Sequence, residues 1–302
     1  MSTSVNISEP VCVAPVGDRC GEGPVWSPQE QALYWTDINR FLIHRFDPAE
    51  ANVKSWFFDE PVTALALTDR DDVLVIALAS RLILWNSASD ERKDHGFHLE
   101  GWPAVRLNDG RCDPRGSFWT GSMRNNVNPD GSYGESGGQD GVLYRIDPDG
   151  NVTEWKREIG ISNTVAWSPD HTLFYFGDSL ANTIFVYQYD AATQSITAER
   201  SFFSGFARGL PDGSAVDGEG FLWNCRYGGK CIARIAPSGM VDKIVEMPVT
   251  NITSCTFGGP DYRTLYVTTA SASAPPGERL AGGLFALTCD IAGQAENRFK
   301  IS

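Results

Sequence analysis

A short sequence pattern recurs six times along the chain, and this recurrence limits the possible folds more than any other feature. In the two clearest copies, residues 25–30 read VWSPQE and residues 166–170 read AWSPD. Each is followed by an aromatic stretch that ends in Asp, LYWTD at 33–37 and LFYFGD at 173–178. Looser copies lie at residues 66–69, 111–116, 215–220 and 256–259. Short aromatic and β-branched stretches separated by turn residues predict strands.

No segment keeps a helical period over the ~11 to 18 residues that a helix prediction needs, so we expect an almost entirely β protein. A repeat of ~40 to 50 residues with three or four strands is typical of a propeller blade, which cannot bury its faces alone. The six copies therefore predict an all-β, six-bladed β-propeller formed by residues 1–302 as a single domain. We expect residues 1–10 to be a loose N-terminal segment. Residues 11–16 are a candidate for the strand that closes the last blade.

The charge balance and the cysteines limit the partners and the compartment. The chain has 25 Lys and Arg against 38 Asp and Glu, a net charge of −13 that would repel a phosphate backbone. No apolar run approaches the ~20 residues of a membrane span, and the N-terminus lacks the features of a signal peptide. The seven cysteines are odd in number and scattered, which indicates reduced thiols. We expect a soluble, cytoplasmic monomer that binds neither nucleic acid nor membranes.

The register of the repeat predicts where the functional residues lie. The first strand of each blade lines the central channel, so equivalent positions at its start should form a ring around the axis. In each copy, the residue four positions before the apolar residue that precedes the turn is polar. These six residues are Glu22, Thr63, Asn108, Asn163, Asp212 and Thr253. Two carboxylates with amide oxygens suit a hard divalent cation, which predicts a central metal-binding channel. The alternative is that these side chains cap strand ends or bond to loop backbone.

Several segments resemble the gluconolactonase and regucalcin (senescence marker protein) family, from about Cys20 to Phe285. They are, in chain order, GEGPVW at 21–26, RLNDG at 106–110, ISN at 161–163, LPDG at 210–213 and TSCTFGG at 253–259. The resemblance implies a six-bladed propeller whose divalent metal hydrolyses sugar-acid lactones. It implies Glu22, Asn163 and Asp212 as metal ligands, Asp212 also as the catalytic base, and Arg106 and Asn108 as substrate-binding residues.

The chain departs from that family at one substrate-binding position. Animal members carry an acidic residue there, whereas this chain reads GSMRNN at 121–126, which places Asn126 at the equivalent position. The substrate preference of the animal members therefore cannot be assigned to this chain. The polar stretch 125–141 is expected to be a long loop between two strands of the third blade. A loop of this length is a candidate lid over the channel mouth, or alternatively plain surface.

The sequence thus predicts a metal-dependent lactonase that opens a sugar-acid lactone to its acid. Oxygen ligands favour one Ca²⁺ ion, while Zn²⁺, Mn²⁺, Mg²⁺ and Fe²⁺ stay open. Two alternatives are retained. One is a calcium-binding propeller without catalysis, and the other is a hydrolase of other esters or organophosphates.

Overall fold

The computed structural model describes residues 5–301, which form 24 strands and one 3₁₀ turn at Ile38–Arg40. The first strand is β1 (Val11–Ala14). Blade 1 contains β2 (Gly21–Ser27), β3 (Ala32–Asp37), β4 (Leu42–Asp47) and β5 (Asn52–Phe57). Blade 2 contains β6 (Val62–Leu67), β7 (Val73–Leu78), β8 (Arg81–Asn86) and β9 (Arg92–His98). Blade 3 contains β10 (Val105–Cys112), β11 (Phe118–Arg124), β12 (Gly141–Ile146) and β13 (Val152–Ile159).

The second half of the chain repeats this arrangement. Blade 4 contains β14 (Ser162–Trp167), β15 (Leu173–Asp178), β16 (Thr183–Asp190) and β17 (Ser195–Ser204). Blade 5 contains β18 (Leu210–Val216), β19 (Leu222–Tyr227), β20 (Cys231–Ile235) and β21 (Val241–Glu246). Blade 6 contains β22 (Ile252–Gly258), β23 (Thr264–Thr269) and β24 (Leu284–Thr288).

The blades close into a ring, as the repeat predicted. Each blade is a four-stranded antiparallel sheet, and the first strands β2, β6, β10, β14, β18 and β22 contact one another in that order and back to β2. Blade 6 takes its fourth strand from the N-terminal side of the chain, because β1 pairs with β24. The candidate closing segment at residues 11–16 is therefore confirmed for β1. The protein is an all-β, six-bladed propeller.

A recurring Asp and Trp pair fixes the turn and the second strand of two blades. In blade 3, Asp113 accepts hydrogen bonds from three backbone N–H groups of the turn through Oδ1, and from Trp119 Nε1 through Oδ2. In blade 5, Asp217 accepts from two turn N–H groups and from Trp223 Nε1 in the same way. Such Asx turns satisfy backbone donors that the turn would leave unpaired. This explains why the looser copies at 111–116 and 215–220 keep Asp before an aromatic strand.

The core lies between the blades. Six apolar clusters are each shared by two neighbouring blades. The tryptophans of the clearest repeat copies belong to them: Trp26 stacks on Tyr266 of blade 6 at 5.6 Å, and Trp167 meets Trp119 of blade 3 edge-on at 6.0 Å. Because burial of these large rings needs both neighbours, each blade depends on the ring for its stability.

The expectation of a loose segment at residues 1–10 is wrong for residues 5–10, while residues 1–4 lie outside the described residues. Val5 is buried, and its carbonyl accepts a hydrogen bond from Lys243 Nζ at 2.7 Å. Ile7 forms an antiparallel bridge with Cys289, and Ser8 N donates to Thr288 O at 3.0 Å. The physical reason is that this segment continues the pairing of β1 along the outer edge of blade 6.

The residues after β24 cross the opposite end of the ring and close the channel there. Gln294 Nε2 donates to Trp167 O of blade 4 at 3.2 Å, and Glu296 forms an ion pair with Arg111 of blade 3. Phe299 is buried beside blade 2, where it forms a parallel bridge with Thr68, the residue that follows β6. This segment, residues 291–301, is called the C-terminal strap below.

Two further structural facts bear on the sequence predictions. All seven cysteines are free thiols, as expected. Within residues 5–301 there is no helix with the length and apolar character of a membrane span.

Candidate active site

A cavity of about 380 Å³ lies at the channel end where the inner strands begin. Four members of the predicted ring line it, namely Glu22 of β2, Asn108 of β10, Asn163 of β14 and Asp212 of β18. Arg106 and Asn126 line the same cavity. The structure therefore brings together all six residues that the sequence singled out for metal binding, catalysis or substrate binding.

The two threonines of the predicted ring do not reach the cavity. Thr63 Oγ1 donates to Ala77 O at 3.2 Å, and Thr253 Oγ1 donates to Gly21 O at 2.5 Å. Both side chains are buried and satisfied by strand backbone. These two ring residues therefore bond to backbone, as in the alternative interpretation, but to the backbone of strands and not of loops.

A strand irregularity lies at the ring position, or directly after it, in every blade. In blade 1 the register shifts after Glu22, and in blade 4 it shifts after Asn163. The other four inner strands shift at residues 62–64, 107–110, 211–214 and 252–254. The residues that follow, Gly23 and Thr164, have left-handed backbone with φ of +53° and +52°. A bulge bends the strand and reorients its side chains, which is how β proteins often aim residues at an active site.

The two cavity carboxylates are buried, with Glu22 7% and Asp212 6% exposed. Burial, together with the negative charge of Asp109, raises the pKa of Glu22 to about 8, although Gly23 N donates to it. Burial and then the charges of Glu22 and Asp109 raise the pKa of Asp212 well above its usual range. Three acids are thus held close together in a region of low dielectric, where their charges repel each other.

The amide of Asn163 is oriented by its neighbours. Its Nδ2 donates to Ser179 Oγ at 2.8 Å, and Ser179 Oγ donates in turn to Pro211 O at 2.6 Å. Its Oδ1 accepts one hydrogen bond, from Asn108 Nδ2 at 3.2 Å. Because a carbonyl oxygen has two lone pairs, Oδ1 of Asn163 keeps one for a ligand in the cavity.

The guanidinium of Arg106 is held entirely by neutral acceptors. Nε and Nη2 donate to Asn126 Oδ1 at 3.1 and 2.8 Å, and Nη1 donates to Leu107 O and Asn108 Oδ1 at 2.9 and 2.6 Å. Burial lowers the pKa of Arg106, which nevertheless stays a cation. These contacts occupy four of its five N–H groups, so that one N–H of Nη2 is free to donate to a ligand.

The repeat register also predicts further wall residues, of which the sequence analysis named only Arg106. Two residues before the ring position, four of the six blades place a residue in the cavity wall: Cys20, Arg106, Ile161 and Leu210. Alternate residues of a strand face the same side, so a step of two along the chain would have identified them. The other wall residues have no such signal: Ile38 and Asn39 of the 3₁₀ turn, Tyr227 at the end of β19, and the loop residues Tyr133, Ser136, Leu180 and Ser273.

The donor set fits a divalent cation that prefers oxygen ligands. Glu22 and Asp212 would supply two negative charges, and Asn163 Oδ1 would supply a neutral oxygen with a free lone pair. A cation would also offset the repulsion that raises the pKa of both acids. Across residues 5–301, no group of three or more His, Cys, Asp or Glu is placed to hold a metal ion. A metal ion in this cavity therefore depends on an amide oxygen as its third protein ligand.

Comparisons with known proteins agree with the fold. The family model described as the SMP-30/gluconolactonase/LRE-like region matches residues 20–271. The pentonolactonase XacC of Haloferax volcanii is 34% identical over 94% of this chain and 95% of its own length. Regucalcin of Homo sapiens is 32% identical over 92% of this chain and 93% of its own. The crystal structure of a calcium-binding regucalcin from Agrobacterium tumefaciens superimposes with a TM-score of 0.89 and 28% identity, covering 99% of both chains.

Proposed function

The chain belongs to the SMP-30/gluconolactonase/LRE-like family, and from this membership and the cavity we propose that it hydrolyses the lactone of a sugar acid with one divalent metal ion. The name of the relative from Haloferax volcanii, pentonolactonase, supports this reaction class. The observation that carries the proposal is the cavity itself. It combines two buried carboxylates, a free amide oxygen and a buried guanidinium within one small space.

We assign the metal to Glu22, Asn163 and Asp212, with Ca²⁺ as the first choice among oxygen-preferring ions. The calcium-binding regucalcin of Agrobacterium tumefaciens supports that choice, and Zn²⁺, Mn²⁺, Mg²⁺ and Fe²⁺ are the alternatives to compare. When bound, such an ion would supply Lewis acidity to the lactone carbonyl or to a water molecule.

Asp212 is proposed as the general base. Hydrolysis needs a water oxygen to bond to the lactone carbonyl carbon while a base accepts the water proton. The ring C–O bond then breaks, and the same proton passes from Asp212 to the departing ring oxygen. The product is the open-chain acid. The buried carboxylate of Asp212 lies in the wall beside Glu22 and Asn163, where it can contact both water and substrate.

Arg106, Asn108 and Asn126 are proposed as the substrate-binding group. The free N–H of Arg106 can donate to the carbonyl oxygen of the lactone, whose negative charge grows as water attacks. Asn108 and Asn126 orient the guanidinium through their amide oxygens. Because Asn126 is neutral, Arg106 keeps its full charge for the substrate and does not share it with an acid at that position.

The experiment that tests the function measures the hydrolysis of glucono-, galactono-, xylono- and arabinonolactone by pH-stat, beside aryl esters and elemental analysis of the purified protein. We expect at least one aldonolactone to be hydrolysed. The Asp212→Asn variant should lose about 10²- to 10⁴-fold in kcat. The exposed Asp190 provides the control variant Asp190→Asn, which should behave as wild type.

Three results would overturn this function. Lactone hydrolysis that survives Asp212→Asn unchanged would refute the catalytic assignment. Bound calcium without hydrolysis of any substrate would indicate a calcium-binding propeller. Hydrolysis of aryl esters alone would indicate an esterase of another class.

A further inference from the structure

The loop between β11 and β12 contains a short ordered segment, residues 126–136, called the roof segment below. Val127 and Tyr133 form an antiparallel bridge, and Asn128 N donates to Ser132 O at 2.9 Å. Gly134 N donates to Asn126 O at 2.8 Å, which brings the two ends of the segment together. The roof segment is thus a closed turn with its own hydrogen bonds.

The roof segment belongs to blade 3 but docks on blade 1. Asn39, which is 2% exposed, donates through Nδ2 to Gly131 O at 3.0 Å. Arg19 Nη1 donates to Asp130 O at 3.4 Å. The approach is so close that a Cβ on Gly131, where φ is +76°, would lie 2.1 Å from Asn39 O. Only glycine permits this contact, because any side chain would collide with a backbone oxygen that cannot rotate away.

The docked segment supplies one side of the cavity wall through Tyr133, Gly134 and Ser136. Ser136 Oγ accepts a hydrogen bond from Asn126 Nδ2 at 3.0 Å, which connects the segment to the Arg106 group. Tyr133 is 38% exposed, so its ring lies at the mouth. Its hydroxyl lies next to the Cys20 thiol on the blade 1 side of the cavity.

A wall that spans from blade 3 to blade 1 limits the size of the ligand. The cavity volume of about 380 Å³ lies near the lower end of the ~300 to 1,000 Å³ range of small-molecule pockets. The aliphatic side chains of Ile38, Ile161, Leu180 and Leu210 also line the cavity. A second sugar ring attached to the substrate would have to displace Tyr133 or leave its hydroxyls unpaired against these aliphatic side chains.

We propose that the docked roof segment restricts the cavity to lactones of a single sugar acid, with Tyr133 as the specificity-determining residue. The inference rests on the proposed lactonase function and adds the class of substrate that the site accepts. A single-ring lactone fits under the roof segment with its carbonyl toward Arg106. A glycosylated lactone is excluded by the contact of the segment with Asn39.

The test compares glucono-1,5-lactone with lactobiono-1,5-lactone, which carries an additional galactosyl ring, using metal-loaded protein. Wild type should prefer the smaller lactone in kcat/KM by at least about tenfold, since tenfold corresponds to only about 1.4 kcal/mol. The Gly131→Ala variant displaces the roof segment without changing any wall side chain, and Tyr133→Ala opens the wall while the docking contacts stay. Both variants should reduce the preference at least threefold.

The control is Gly150→Ala, because Gly150 also has a positive φ, +87°, but nothing lies within 4 Å of an added Cβ. This control carries the same kind of backbone strain and should keep the wild-type preference. Calorimetry measures the binding of gluconate and lactobionate to the same proteins without turnover. It therefore tests the restriction by the roof segment separately from the lactonase function. If wild type hydrolyses neither lactone but Gly131→Ala gains lactobionate binding, the lactonase function is refuted and the size restriction by the roof segment is supported. Equal preference or equal binding in wild type and both variants would overturn the proposed restriction.

Discussion

The amide oxygen of Asn126 accepts two hydrogen bonds from the guanidinium of Arg106, from Nε at 3.1 Å and from Nη2 at 2.8 Å. The two residues lie on opposite sides of strand β11 in the sequence and meet at the cavity wall. The contact keeps a buried cation in place without neutralising it. At this buried position, an arginine without such acceptors would be costly, because burial of an unpaired charge is unfavourable.

The first prediction concerns this pair. Asn126→Ala should lower kcat/KM for the lactone about 10- to 100-fold, because it removes hydrogen bonds to a charged group worth about 1.5 to 3 kcal/mol. The matched control is Asn182→Ala, which removes a 2.8 Å hydrogen bond between Asn182 Oδ1 and the buried Arg226 outside the cavity wall. Steady-state kinetics should separate the two variants, and an equal loss in both would contradict the positioning role of Asn126.

The second prediction concerns metal affinity. Asn163→Ala should weaken binding of the divalent ion by at least about tenfold, since it removes one of the three proposed protein ligands. Thr63 occupies the equivalent ring position in blade 2 but bonds to Ala77 O, so Thr63→Val should leave the affinity unchanged. Titration calorimetry of metal-stripped protein measures both. Equal affinities in Asn163→Ala and wild type would remove Asn163 from the ligand set.

The third prediction concerns the pH dependence of stability in the metal-free protein. The folded-state pKa of Glu22 is raised to about 8 from its ordinary value of 4.5, so the folded protein binds more protons than the unfolded chain between these pH values. The free energy of unfolding should therefore fall as the pH rises from about 4.5 to about 8. Urea denaturation with a chelator present, at several pH values, measures this decline.

The matched variant for this measurement is Glu22→Gln, which cannot ionise and should show a smaller decline over the same range. Saturating divalent metal should reverse the trend in wild type, because the ion binds the ionised acids and competes with protons. Identical pH profiles for wild type and Glu22→Gln without metal would contradict the prediction.

The fourth prediction concerns the C-terminal strap. Phe299 is 1% exposed and packs in the cluster shared by blades 2 and 3. Phe299→Ala should cost about 3 to 5 kcal/mol in the free energy of unfolding, as expected for loss of a buried phenyl ring. Phe57 is 63% exposed, and Phe57→Ala should change stability by no more than about 0.5 kcal/mol. A small loss of stability in Phe299→Ala would mean that the strap contributes little to the free energy of unfolding.

The amino-acid sequence alone determined the propeller and most of its candidate site. Blade formation depends on local patterns of turn residues and alternating strands, and these repeat along the chain in a register that identified Glu22, Asn108, Asn163 and Asp212. The closing strand β1 was likewise predictable from the sequence, since the last blade of the ring needs one additional strand. A further step of two residues would have added Cys20, Ile161 and Leu210 to the predicted wall.

Only the tertiary structure decided which ring positions face the cavity and which segments cover the two ends of the channel. Thr63 and Thr253 share the register of Glu22, yet they bond to backbone, because a hydroxyl on a short side chain reaches the adjacent strand. The docking of Gly131 on Asn39 and the burial of Phe299 beside blade 2 join residues far apart in the sequence. Such contacts have no local period. They depend on the shape that the closed ring presents, and that shape exists only after the repeats have packed together.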